Sequence, residues 1–340
     1  MKSQRGNAFW LIFGGRYVKI VLMKLVFFDI ECACVHKTFA KICAFGYVVC
    51  DEDFNILEKE DILINPKGKF ELTDRRGDKG LKLPYEYEEF KKHPPFRRVY
   101  GRIKELLEDK DALVFGHAVL NDVKYLKLET QRFKLPSFNF AFADSQLIYM
   151  TYKNDFTHQA GLEHIAQDLG VEFTPHRAVD DAYATMRIIE AICKAKNCGA
   201  SRLLEELKFT PGKIEKYNIR SPQSARQKAY KNEKKSAKEA RSRARITFHN
   251  TVFSKRPKKG APLSGVQVIF ARCIEDDLDL SLPLVNKLYE AGGRYAQKVD
   301  DCNICVHTEE SEARTQKATT LGKRIMSLEE FKEYLDETSR

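Results

Sequence analysis

The sequence predicts two α/β domains joined by a basic segment, and three observations predict it. From residue 24 onward, strand-like runs come first and then alternate with helical patterns, the order that builds a mixed sheet flanked by helices. Between Arg220 and Pro262 stand fourteen Lys/Arg against two Glu, a surplus that exceeds the net +10 of the whole chain. From Leu263 a second, shorter alternation of strand and helix begins. At 340 residues and 43% hydrophobic content, the chain has room for one ordinary domain, a smaller one, and a core for each.

The first strand carries the signal around which the rest is arranged. Leu25-Val-Phe-Phe28 is the short apolar run of a strand buried on both faces, and it ends in Asp29-Ile-Glu31. Side chains alternate along a strand, so Asp29 and Glu31 share a face. Two adjacent acids repel unless a cation lies between them, and hard divalent ions take oxygen ligands. An exposed acidic pair at a strand end is the plainer reading of the same residues.

Lys41–Cys50 and Asn55–Ile64 follow as strands around the polar turn Asp51-Glu-Asp53, giving an antiparallel meander. After Pro66 comes a long polar insertion, residues 66–95. Its Lys67, Arg75 and Arg76 are candidate phosphate contacts, and a merely solvated loop is the other reading. Phe96–Leu107 has helical periodicity, Ala112–Phe115 reads as a strand, and Val119–Leu128 as a helix. Phe138–Ala143 is a strand, and Asp144-Ser145 caps the helix after it. Helices at about 160–169 and 179–195 close the unit, and 199–219 reads as a helical extension.

The basic run 227–245 reads either as a helix on a nucleic-acid surface or as a flexible linker. Lys234, Lys235, Arg241, Arg243 and Arg245 are its candidate nucleic-acid-binding residues. Beyond it, Val266–Phe270, Arg294–Lys298 and Asn303–Val306 are strand-like, Leu282–Ala291 is helical, and two short helices follow. Ser327-Leu-Glu-Glu330 is a capping-box start for the last of these.

The nine cysteines are scattered without paired spacing, which predicts reduced thiols in a cytoplasmic protein. Cys302-Asn-Ile-Cys305 with His307 is at most half a zinc site, so zinc is not expected. No apolar run approaches the roughly twenty residues of a membrane span, and no membrane partner is expected. Residues 1–23 are expected to be a disordered arm or a start artefact, since Met23-Lys24 stands directly before the first strand.

Three further positions join the first pair. Gly116-His-Ala-Val-Leu-Asn-Asp122 puts an acid at the start of a helix after a strand. Pro175-His176-Arg-Ala-Val-Asp-Asp181-Ala182 puts a histidine in a loop and an acid inside the following helix. Asp29/Glu31, Asp122, and His176 with Asp181 together resemble the three motifs of the DnaQ-like DEDDh 3′–5′ exonucleases, over about residues 24–195. The resemblance implies a ribonuclease H-like fold and a phosphodiester hydrolase using two divalent ions, Mg²⁺ or Mn²⁺. It implies that Asp29 holds both ions, Glu31 and Asp181 the ion bearing the nucleophilic water, and Asp122 the other. His176 would take the proton from that water, since imidazole titrates near neutrality. His117, Asp144, Asp155, His164 and a solvent-facing Asp180 fall outside the set. The chain departs from the family pattern at Ala118, Asn121 and Cys32, which leaves the acids intact and the sugar preference open.

Residues 263–336 show a second resemblance. Leu263–Phe270, Leu288–Tyr295 with its Gly292-Gly293 pair, Cys302–Val306, Thr315–Ala318 and Lys323–Leu335 look like a BRCT domain, with Phe331 where Trp is usual. Lys317 suits the phosphopeptide-reading pair of that family, but Ala271-Arg272 lacks the hydroxyl. The expectation is a domain for DNA ends or a protein partner such as a polymerase or repair protein. The expected organisation is thus an exonuclease domain at 24–197, a helical extension and basic linker at 198–262, and a BRCT-like domain at 263–336. The expected activity is release of nucleoside 5′-monophosphates from single-stranded or duplex DNA 3′ ends in replication or repair. RNA trimming and a weakly catalytic nucleic-acid-binding adaptor are the alternatives.

Overall fold

A computed structural model describes residues 8–13, 16–21, 23–68, 85–172, 177–309 and 311–338. The chain divides into two compact units, Met1–Tyr230 and Lys231–Arg340. Ahead of the first unit's main sheet, β1 (Ala8–Phe13) and β2 (Arg16–Val21) pair antiparallel, so the arm expected to be disordered carries a hairpin.

The main sheet is organised on β3 (Lys24–Val35), with β4 (Ala40–Cys50) and β5 (Ile56–Leu63) forming the expected antiparallel meander on one side. The insertion that follows carries α1 (Tyr87–Lys92), and its two ends meet at a bridge between Asn65 and Pro95. Then come α2 (Phe96–Leu107), β6 (Ala112–Gly116), α3 (Leu120–Arg132), β7 (Phe140–Asp144), α4 (Ser145–Lys153), α5 (Leu162–Asp168), α6 (Ala178–Lys196) and α7 (Ala200–Glu206). β6 pairs parallel with β3 and β7 parallel with β6, which makes the sheet mixed, as expected.

Only the first part of the expected helical extension is helical. Beyond α7 lie β8 (Phe209–Thr210), β9 (Gly212–Glu215), β10 (Asn218–Arg220) and β11 (Gln223–Ser224). β9 adds antiparallel to β7, so the sheet runs β10-β9-β7-β6-β3-β4-β5. Strands this short have no periodicity to read; the partner strand specifies them.

Alternation along β3 divides the core. Leu25 and Phe27 face a cluster with Ile148, Ile189 and Leu203, while Val26, Phe28 and Ile30 face Ile103, Val123 and Leu126. Phe27 stacks on Phe115 at 5.0 Å and Phe28 on Phe45 at 5.6 Å.

The second unit begins inside α8 (Ala225–Ser254), the helix formed by the basic run. It continues with β12 (Gln267–Phe270), α9 (Arg272–Asp276), α10 (Leu278–Glu290), β13 (Arg294–Tyr295), β14 (Ile304–His307), α11 (Ala313–Thr320), β15 (Arg324–Ser327) and α12 (Leu328–Thr338). Its sheet has the order β13-β12-β14-β15 with every pairing parallel. β15 has no counterpart among the strands expected from sequence. Phe248 and Val252, inside the expected linker, are fully buried in this unit's core. The capping box forms: Ser327 N–H donates to Glu330 Oε2 at 2.7 Å, and Glu330 N–H to Ser327 Oγ at 3.2 Å.

One close approach fixes the first unit's helices on the sheet. Gly46 stands on β4 in register with Asp29 of β3 and Asp61 of β5. A Cβ built on it would lie 2.0 Å from the backbone C of Ala178 and 2.0 Å from the N of Val179, in the first turn of α6. Gly46→Ala is therefore expected to destabilise the protein by about 1–3 kcal/mol, the cost of overpacking against backbone that cannot rotate away. Gly101→Ala, on α2 with nothing within 4 Å of the added carbon, is expected to gain stability instead. Urea unfolding of both variants checks this, and equal stabilities would contradict it.

Candidate active site

Because α6 lies on Gly46, it brings Asp181 over the end of β3. Ligand oxygens of Asp29, Glu31 and Asp181 all lie within 4.8 Å of one another. Asp122, in the first turn of α3, is buried beside them. Burial, then Asp122, Glu31 and Asp181, push the Asp29 carboxyl well above its ordinary range. Burial is also the main cause for Asp122, with Glu31, Asp144 and Asp181 adding to it. Glu31 is pushed up to about 8 by burial, Asp181 and Asp61.

Among the described residues, no Lys or Arg pairs with Asp29, Glu31 or Asp122. The donor set is carboxylate oxygen alone, held together against its own repulsion, and such a set fits hard divalent cations such as Mg²⁺ or Mn²⁺. The four acids named from sequence are thus brought together. His176 lies outside the described residues, as do Arg75 and Arg76.

The surroundings hold residues that sequence reasoning does not single out. Asp61 accepts from Tyr85 Oη at 3.0 Å, and Tyr85 Oη accepts from Arg177 Nη2 at 2.9 Å. Arg177 is the N-cap residue of α6, so this series of hydrogen bonds ties the start of the helix to the sheet. Asp180, expected to face solvent, is bridged by Lys59 at 3.6 Å and Arg177 at 3.5 Å. Two neighbouring positive charges draw it inward. The one sequence signal for Asp61 is its place on the third strand of the meander, opposite Gly46.

At the second motif, Ala118 takes a left-handed conformation at φ 46°. That geometry costs a residue with a Cβ about 1–2 kcal/mol and suits Asn better. Asp144 compensates. One of its carboxylate oxygens accepts from Ala118 N–H at 3.1 Å while also capping α4 through Gln146 N–H at 3.0 Å. His117 is half-buried with Nδ1 2.9 Å from Ser145 Oγ, and desolvation of its ring pulls it down to about 4, which suits a neutral loop-ordering role.

The expected phosphate-binding residues fare unevenly. Lys67 is exposed at the start of the insertion. Lys234, Lys235, Arg241 and Arg243 are exposed on α8, with Lys235 3.9 Å from Glu239. Arg245 is not on that surface. Its guanidinium makes a two-point pair with Asp276, Nη2 to Oδ2 at 2.7 Å and Nε to Oδ1, inside the second unit. A bidentate Arg–carboxylate pair is strong enough to withhold that Arg from phosphate.

Residues 26–189 match the RNase T family, described as exonuclease. A search of curated sequences finds no match. Several solved structures are similar in fold. One described as a full-length 3′-exonuclease is 15% identical, with 61% of this chain and 93% of that one covered and a TM-score of 0.48. A 3′-exonuclease described as recognising the 3′ end of a histone mRNA stem-loop is 13% identical over 61% and 92%, TM-score 0.47. Exonuclease I is 16% identical over 54% and 43%, TM-score 0.43. Residues 26–189 are thus an RNase T-type exonuclease domain, a phosphodiester hydrolase acting on nucleic acid.

The acids can be tested singly. Asp181→Asn should abolish nuclease activity with the unfolding midpoint unchanged or raised, since a charge leaves a repulsive cluster. Wild-type turnover in that variant would remove Asp181 from the site. For Glu31, the folded chain holds the proton more tightly than the unfolded chain, whose carboxyl titrates near 4.5. Stability is then greatest below the unfolded value and declines as pH rises toward about 8. In EDTA the melting temperature should fall across that window, and Glu31→Gln should flatten the decline. Melting curves at several pH values test this, and a profile unchanged by Glu31→Gln would count against it.

Proposed function

We propose that the first unit removes nucleotides from DNA 3′ ends as nucleoside 5′-monophosphates, in replication or repair. The observation that carries this is the convergence of Asp29, Glu31 and Asp181 within 4.8 Å, with buried Asp122 beside them. Divalent ions bound there would activate water and relieve charge on the leaving oxygen. Asp29, Glu31, Asp122 and Asp181 would hold two such ions. A divalent cation bound there would hold the carboxyls ionised, since its charge offsets the burial and mutual repulsion that raise them. His176 would accept the proton of the attacking water. The surrounding link of Asp61, Tyr85 and Arg177 would fix the residue that follows it in the chain.

RNA trimming is the second reading, favoured by the Gly116-His-Ala118 form of the second motif. The second unit would be BRCT-like and would serve DNA ends or a polymerase or repair partner. Supporting this, Gly292 turns at φ 91° between α10 and β13, and Phe331 is buried against Phe270 at 5.7 Å. Lys317 lies against Asp300 at 2.5 Å, which argues against a phosphopeptide role. All nine cysteines are free thiols, in keeping with a reducing, cytoplasmic setting.

Labelled single-stranded DNA and RNA of one sequence, each with Mg²⁺ or Mn²⁺, test the proposal. The DNA should shorten from its 3′ end faster than the RNA, and chelation should stop both. Faster loss of RNA would replace the substrate assignment, and no hydrolysis of either would leave the adaptor reading. His176→Ala should lower turnover by ~10²–10⁴ with little change in KM, the usual worth of a general base. A loss confined to KM would make His176 a binding residue.

A further inference from the structure

The second unit carries a cleft of about 910 Å³ beside the end of α8, lined by the chain that follows the helix and by the edge strand β13. Its walls are basic. Lys255, Arg256, Lys258 and Lys259 line it from one side and Arg294 from the other, all exposed, against one lining acid, Asp301. An adjoining hollow that shares three of these cations adds Glu290. Among the described residues none of the five cations is in an ion pair; Lys255 bonds only the side-chain oxygen of Asn286.

These charges are held in place rather than strung on a loose linker. Lys258 N–H donates to Tyr289 O at 2.9 Å, and Leu263 N–H to Ala291 O at 2.8 Å. Gly292, in the left-handed region, lets this segment approach: a Cβ there would lie 3.0 Å from Ala261 Cβ and 3.1 Å from Lys258 O. At the rim, Phe253 is 41% exposed. Its ring is propped by His249, stacked at 5.6 Å, and by the edge of Tyr295 at 6.3 Å.

Five uncompensated cations on one concave surface call for a ligand with repeated negative charge, because a lone phosphate neutralises only one or two. An exposed, supported aromatic ring beside them suits a ligand that also offers flat π-faces. Single-stranded nucleic acid has both, whereas a duplex hides its base faces and a phosphopeptide lacks repeated phosphates. We propose that this cleft binds a single-stranded stretch of nucleic acid, with the Lys/Arg on its phosphates and Phe253 against a base. The choice of nucleic acid rests on the nuclease reading of the first unit.

The test uses the full-length protein. Fluorescence anisotropy in EDTA measures binding of an oligothymidylate of about 30 nucleotides, well beyond a single site of this kind. Turnover with Mg²⁺ is measured separately on a strand of about five nucleotides, near the lower limit of such a site. Lys258→Glu/Arg294→Glu should weaken binding of the long strand about tenfold or more and lower the salt slope by ~0.7 for each phosphate no longer neutralised. The neutral pair Lys258→Gln/Arg294→Gln should act in the same direction, and turnover on the short strand should stay at the wild-type value. Phe253→Ala should weaken binding about fivefold or more with the salt slope kept. Wild-type affinity in both charge variants would overturn the proposal, as would equal affinity for duplex, or displacement of the strand by an equimolar phosphoserine peptide. Failure of the wild-type protein to degrade any strand would instead defeat the nuclease reading, and anisotropy would still report on the cleft.

Discussion

Four carboxylates must be held close together in a partly buried place, and nearly everything in the first unit follows from that constraint. Two acids about 4 Å apart repel by roughly 4 kcal/mol at the effective dielectric of a protein surface. Local chain preference cannot supply that. Burial of Leu25, Val26, Phe27, Phe28 and Ile30 can, since five such side chains contribute on the order of 10 kcal/mol as an upper estimate. The apolar half of β3 thus anchors its acidic end. Divalent cations would then convert a site of stored repulsion into one of attraction.

Gly46 is the geometric counterpart of that energetic argument. A helix rides over a sheet at a distance set by the side chains between them. Where the sheet offers no side chain, the backbone of α6 comes down onto it. Asp181 reaches Asp29 and Glu31 because a Cβ is absent from the neighbouring strand, at a position outside every motif. The link from Asp61 through Tyr85 to Arg177 holds the same helix end laterally, so helix and sheet are registered in two directions.

What can be read from the sequence is what local chemistry encodes. The β3 run, the cap at Asp144, the capping box at Ser327 and the amphipathic α2 each depend on neighbours in the chain, and the sequence places each to within a few residues. The acids are legible because strand ends and helix starts put them there in a fixed order. Gly46, Asp61 and Tyr85 are not, because their roles exist only across strands. β9 and β10 fall in a stretch with a helical reading, since strands of four and three residues are defined by their pairing, β9 on β7 and β10 on β9, rather than by their own pattern. The pairing of Arg245 is illegible for the same reason: its partner Asp276 is distant in the chain, and charge counting cannot see a pair.

The basic stretch is legible as charge and illegible as structure, and the structure separates it into three fates. The first part of α8 displays its cations to solvent all round the helix, where flexible side chains give sequence-independent attraction screened by salt. Arg245 is committed inside the fold to Asp276. Of the last four basic residues along the concave wall, Lys255 and Lys258 are held by backbone hydrogen bonds, to Val252 O and Tyr289 O, so the chain there is ordered before a ligand arrives. Ordering costs about 0.5–1.5 kcal/mol for each long side chain immobilised at an interface. That cost falls on helix and cleft alike; what differs is that the cations of one concave wall act on one phosphate chain together, whereas cations spread round a helix do not.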